Sequence, residues 1–210
     1  MRYITLILVF FTIGQVNAQI DKGSSIYREL LRSLEKESDT IFIEDRNHLK
    51  EFQLIDCNDN YIKFNGAFSS GENVEIELKR KAFVSSQHKI EVIDNMMVKN
   101  LIDNEYSYGI DGTVPKFEIE ELTIKINKQQ IEIPKTTYSH LFEPHFCGTY
   151  LPMKAFESSN GKYIYLYMNG SDGAGGYSVK WIFSRNQYIS KIVSTVEFMN
   201  GFDFIDGKEE

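Results

Sequence analysis

His140-Leu141-Phe142-Glu143-Pro144-His145-Phe146-Cys147 places two imidazoles, a carboxylate and a thiol within eight residues. Each of these side chains is a permitted zinc ligand. The spacing matches neither a helical HExxH pair nor a CxxC pair, and Pro144 prevents a regular helix from carrying all four to one face. The segment reads as a turn, so no metal is expected at His140, Glu143, His145 or Cys147, and no cofactor is expected in the chain.

A second candidate is the glycine-rich run Asn169-Gly170-Ser171-Asp172-Gly173-Ala174-Gly175-Gly176. A phosphate cradle needs backbone N–H groups feeding a helix, usually with a lysine following. Here both flanks read as strands, no such lysine follows, and Asp172 would repel a phosphate. The run is expected to be a hairpin connection whose glycines supply positive φ. Asn169, Asp172, Gly173, Gly175 and Gly176 are the candidates for contact with a ligand or partner.

Nucleophilic and acid–base chemistry find less support. There is no GxSxG, and Ser139 beside His140 is adjacency only, because triads are assembled in space. Asp111 and Asp172 could serve as a glycosidase-like pair, but 30 acidic residues guarantee chance pairings. Tyr163, Tyr165 and Tyr167 fall on one strand face, where sheet packing is preferred to a platform for carbohydrate or peptide.

These residues must be positioned by a chain of 210 residues, 42% apolar and 25% charged, with a net charge of −7. Arg2, the apolar run over 4–13 and Val16-Asn17-Ala18 form a secretory signal over residues 1–18, leaving 19–210 as a single domain. The apolar run is about half the ~20 residues a membrane span needs, so no stable membrane insertion is expected after its removal. The acidic surface disfavours nucleic acid. A periplasmic or secreted location would allow Cys57 and Cys147 to pair; two buried free thiols are the other reading, and sequence does not decide between them.

The fold class expected is α+β, mainly antiparallel. An amphipathic helix from Ser24 or Ser25 to about Glu37, with Ile26, Leu30, Leu31 and Leu34 on one stripe, would pack on a sheet or sandwich. Residues 74–79 alternate as a half-buried strand. Between Phe117 and Ile126 the apolar parity slips at Glu120-Glu121, which predicts a bulge. Residues 96–102 read ambiguously, with a helical turn one option. The C-terminal third predicts a three-stranded meander, with Tyr177, Val179, Trp181 and Phe183 on a buried face. Lys180 lies opposite, where its loss should cost little.

Asp111-Gly112-Thr113-Val114-Pro115-Lys116, Ile131-Glu132-Ile133-Pro134 and Tyr167-Met168-Asn169-Gly170-Ser171-Asp172-Gly173-Ala174-Gly175-Gly176-Tyr177 resemble a group of uncharacterised exported bacterial proteins. The resemblance implies a bacterial origin and carries no assigned activity.

The function expected is an exported, non-enzymatic binding or interaction module for a protein, peptide or carbohydrate. The alternative is a secreted or periplasmic hydrolase with a site near His140–Cys147 and the Gly170–Gly176 loop.

Overall fold

Alternating apolar and polar residues dominate most of the chain described by the computed structural model, which comprises residues 44, 46–94, 99–110, 114–148, 152–171 and 175–194. The period of two makes strands, and there are fourteen among the described residues. They are β1 (Lys50–Glu51), β2 (Gln53–Cys57), β3 (Tyr61–Ala67), β4 (Asn73–Ala82), β5 (Ile90–Asp94), β6 (Lys99–Ile102) and β7 (Glu105–Tyr106). The rest are β8 (Phe117–Ile126), β9 (Gln129–Gln130), β10 (Pro144–His145), β11 (Lys154–Glu157), β12 (Tyr163–Gly170), β13 (Tyr177–Ser184) and β14 (Tyr188–Ser194).

The strands form three antiparallel sheets. Sheet A runs β1-β11-β12-β13-β14, with β10 also pairing β12; sheet B runs β2-β3-β4-β8-β9; sheet C is β5-β6-β7. One apolar cluster joins the two larger sheets as a sandwich. Ile62, Phe64, Ile76, Leu78 and Ile124 of sheet B meet Ile164, Leu166, Met168, Val179 and Trp181 of sheet A, all fully buried. The outer face of sheet A carries a second cluster of Phe156, Tyr165, Tyr167 and Ile182, against which Leu49 packs. Glu44 and Arg46 cross the same face: the Tyr165 hydroxyl donates to Glu44 Oε1 at 2.5 Å, and Arg46 lies 5.0 Å from the Tyr167 ring centroid.

The expected α+β class is corrected to all-β for the described residues. Their only helical segments are three-residue 3-10 turns such as Arg46–His48 and Lys135–Thr137. The α component rested on one apolar stripe within 24–37, and that stretch, like the signal segment 1–18, lies outside the described residues. So do residues 96–98, 111–113 and 172–174, Asp111, Asp172 and Gly173 among them; residues 99–102 form β6 and no helical turn.

Local chemistry explains the connections. Asn58 Oδ1 accepts the N–H groups of Asn60 at 2.8 Å and Tyr61 at 3.1 Å, an Asx turn that reverses β2 into β3. The parity slip in β8 is a bulge: Lys79 faces Glu121 and Arg80 faces Ile119, so Glu120 is the inserted residue. Asn127 and Lys128 take φ of 49° and 71°, the two left-handed positions of a type I′ turn between β8 and β9. The meander appears in register, with Tyr163 opposite Ser184 and Gly170 opposite Tyr177.

Cys57, at the end of β2 in sheet B, is disulfide-bonded to Cys147, just beyond β10 of sheet A, with a Cα separation of 5.9 Å. The bond ties the two faces of the sandwich at one end. Among the described residues no helix is long and apolar enough to cross a membrane, a statement that does not extend to strands.

Candidate functional site

Pairing of β10 with β12 brings the two sequence-predicted regions together. Pro144 faces Gly170, His145 faces Asn169, and the Ser171 N–H donates to the Glu143 carbonyl at 2.9 Å. What they build is a packed corner. Glu143, with φ of 51°, turns its carboxylate onto the backbone N–H groups of Lys116 and Phe117. The Tyr177 hydroxyl donates to the Phe142 carbonyl at 2.9 Å. Gly170 has no room for a Cβ, which would run into the Tyr177 ring. Positive φ falls on Ser171, at 58°, and not on Gly170. At Gly170 the need for glycine is therefore close approach of a ring and not a left-handed backbone.

The four metal candidates diverge. Cys147 is in the disulfide, Glu143 binds backbone amides, and His145 is exposed on the β10 edge. His140 is buried, with Nε2 3.1 Å from the Lys191 ammonium and Nδ1 3.8 Å from Glu105 Oε2. Among the described residues no three His, Cys, Asp or Glu side chains converge on a common point. Ser139 Oγ and His140 Nδ1 both approach Glu105 Oε2, at 3.5 and 3.8 Å, and His140 Nε2 faces the Lys191 ammonium and not the serine. Tyr165 and Tyr167 are buried under the segment around Glu44 and Arg46, so they offer no open platform.

An open concavity lined mostly by polar residues lies elsewhere, on the outer face of sheet B. It is a groove of about 610 Å³ whose polar lining comprises Gln53, Asn65, Asn73, Glu75, Asn127 and Lys128. Strand register explains the gathering. Gln53 faces Asn65 and Asn65 faces Glu75, which makes one polar row across β2, β3 and β4 on the face opposite Phe64 and Ile76. Ala67 faces Asn73 in the next row on that side, and Asn73 is joined to Asn127. That join is reciprocal: the Asn73 N–H donates to Asn127 Oδ1 at 2.9 Å, and the Asn127 N–H donates to the Asn73 carbonyl at 2.9 Å. The small residues Gly66 and Ala67 complete the lining and keep it deep. Gly66 is held to a bare backbone by the Phe52 ring, which a Cβ would strike.

Asn65 Oδ1 is buried in this lining without a hydrogen-bond partner. A buried polar atom in that state is costly unless a donor arrives. Sequence reasoning missed all six polar residues. The available signal was Asn65-Gly66-Ala67 inside a strand, since glycine in a strand interior marks close approach of another group.

No protein-family model, curated protein or solved structure matches the chain.

Proposed function

We propose that the chain is an exported, non-enzymatic binding module that takes its ligand in the groove on the outer face of sheet B. The observation that carries this reading is the groove's lining: four carboxamides with one carboxylate and one ammonium, including an acceptor on Asn65 left without a donor. Such a surface recognises and orients a polar molecule, and it supplies no nucleophile paired with a base. Export is supported by Arg2, the apolar run over 4–13 and Val16-Asn17-Ala18, and by the disulfide, which forms and persists in oxidising compartments. A periplasmic or secreted location fits both observations. The resemblance of the second half to exported bacterial proteins agrees with that address.

Thermal unfolding tests the reading. A ligand that binds only the folded chain raises Tm. The purified protein is screened against fractionated envelope and medium extracts of its own host, alongside an Ala67→Trp variant that fills the groove. At least one fraction should raise Tm for the wild type and fail to do so for the variant. Shifts that persist unchanged in Ala67→Trp would place the binding surface elsewhere.

A further inference from the structure

We infer that the ligand of this groove is a neutral carbohydrate, a short oligosaccharide laid across β2, β3 and β4; the inference rests on the groove being the binding site.

The first ground is the kind of polar group present. Gln53, Asn65, Asn73 and Asn127 each carry a carboxamide, which has both donors and an acceptor in one plane. A sugar hydroxyl is likewise donor and acceptor at once, and neighbouring hydroxyls on a pyranose ring present that pair at the spacing a carboxamide spans. The groove's polar groups are also partly fixed before any ligand arrives. Asn127 sits in the left-handed region of a tight turn with Oδ1 committed to the Asn73 N–H, which leaves its NH₂ as a positioned donor. Asn65 adds a carboxamide to the row, and its Oδ1 is buried with no donor in the folded chain. Separate hydroxyls of one oligosaccharide can give to the acceptors and take from the donors of this row.

The second ground is charge. Glu75 and Lys128 bring one negative and one positive group to the lining, so the groove selects neither an anion nor a cation. With a chain charge of −7 and a single lysine in the lining, a phosphate-rich ligand has little to hold it.

The third ground is what the groove lacks. A bound peptide is held by backbone pairing to a sheet edge and by pockets for alternate side chains. The apolar part of this lining is Gly66, Ala67 and the buried Val74, which make no such pocket. The volume of about 610 Å³ lies within the ordinary range for small-molecule sites and leaves room for roughly two or three pyranose rings.

Two-dimensional amide NMR of the isotope-labelled exported protein tests the inference. The probes are maltotriose, cellotriose and triacetylchitotriose, each titrated to about 10 mM, with trialanine amide and inorganic phosphate as the competing chemistries. At least one trisaccharide should give saturable shifts concentrated on Gln53, Asn65, Gly66, Asn73 and Asn127. Asn65→Ala should weaken that binding by about tenfold or more through loss of a carboxamide from the lining. Ala67→Trp should abolish it, and spectra of both free variants report directly that they remain folded. The inference is overturned if no trisaccharide gives saturable shifts, if the shifts map outside the groove, or if trialanine amide or phosphate occupies the groove in their place. If sugars fail while an extract fraction still raises Tm in an Ala67-dependent way, only the carbohydrate class falls. If both fail, the groove falls with it.

Discussion

Lys180 and Trp181 are adjacent in β13 and point to opposite faces of sheet A, yet both are buried, at 3% and 0% exposure. The indole fills the core between the sheets and donates its N–H to the Thr137 carbonyl at 3.1 Å. The ammonium lies 4.0 Å from the Tyr165 ring centroid and 5.0 Å from that of Tyr167. Both faces of this strand are therefore interior.

Truncation of either residue should therefore destabilise the chain. Trp181→Ala is expected to cost ~3–5 kcal/mol as a large-to-small core change. Lys180→Ala is expected to cost ~1–3 kcal/mol, because it removes a desolvated cation–π contact and leaves space behind. That replaces the small effect the sequence suggests for a lysine opposite a core face. Urea midpoints of the two variants and the wild type decide it; a Lys180→Ala midpoint equal to wild type would show that the outer face is open to water.

The disulfide should be a large contributor to stability. Its cysteines are 90 residues apart, and closing a loop of that size in the unfolded chain is worth ~4–5 kcal/mol on the chain-entropy account. Unfolding with and without a reductant, and of a Cys57→Ser, Cys147→Ser double variant, should show that loss. A difference below ~1 kcal/mol would mean that the contacts around β2 and β10 hold this end of the sandwich without the bond.

Features written into one strand or one turn are legible in the sequence. The parity of β8 gives away the Glu120 bulge because a period-two strand cannot change face without an extra residue. The double-sided apolar character of β12 gives away its central place between β11 and β13. Features made by register between distant strands are not legible. Gln53, Asn65, Glu75 and Asn127 are ordinary surface residues until pairing lines them up across sheet B. Lys191 in β14 is buried on the Trp181 side with its ammonium against His140, a place that only the pairing of β13 with β14 assigns. The clustering of His140, Glu143, His145 and Cys147 is misleading for the converse reason. Neighbours in an irregular segment turn in different directions, so proximity in sequence does not become convergence in space.

Alkaline pH should destabilise the protein in part through Tyr177. Burial, with a smaller contribution from the Glu143 charge, raises its hydroxyl well above the ordinary tyrosine range. Its contribution is complete below the unfolded pKa of about 10. As pH rises beyond that point, the unfolded chain releases the proton while the folded chain retains it, so stability falls toward the folded pKa. Tyr177→Phe should cost about 1 kcal/mol near neutrality by removing the hydrogen bond to the Phe142 carbonyl. It should also flatten the loss of stability between pH values of roughly 9 and 11. An unchanged alkaline slope in Tyr177→Phe would assign that slope to other tyrosines.

Three glycines should rank in a fixed order when replaced by alanine, because each excludes a side chain for a different reason. Gly71, with φ of 101°, has nothing within 4 Å of where a Cβ would sit, so Gly71→Ala meets backbone strain alone and should cost ~1 kcal/mol. At Gly66 the Cβ would strike the buried Phe52 ring from within β3. Relief requires that ring to shift inside a filled core, at ~1–3 kcal/mol. Gly109 combines both problems. Its φ is 90°, and a Cβ there would press on the Phe142 carbonyl, the group that accepts the Tyr177 hydroxyl. Gly109→Ala should therefore be the most damaging of the three, at ~3 kcal/mol or more, and should release the Tyr177 hydrogen bond as the carbonyl moves. Chemical denaturation gives the ranking. Ultraviolet titration of tyrosine gives the second readout, since a freed Tyr177 should ionise at lower pH than in wild type. If Gly109→Ala is no worse than Gly71→Ala and leaves the tyrosine titration unchanged, the contact between Gly109 and Phe142 is a loose one, and so is the corner that Tyr177 closes.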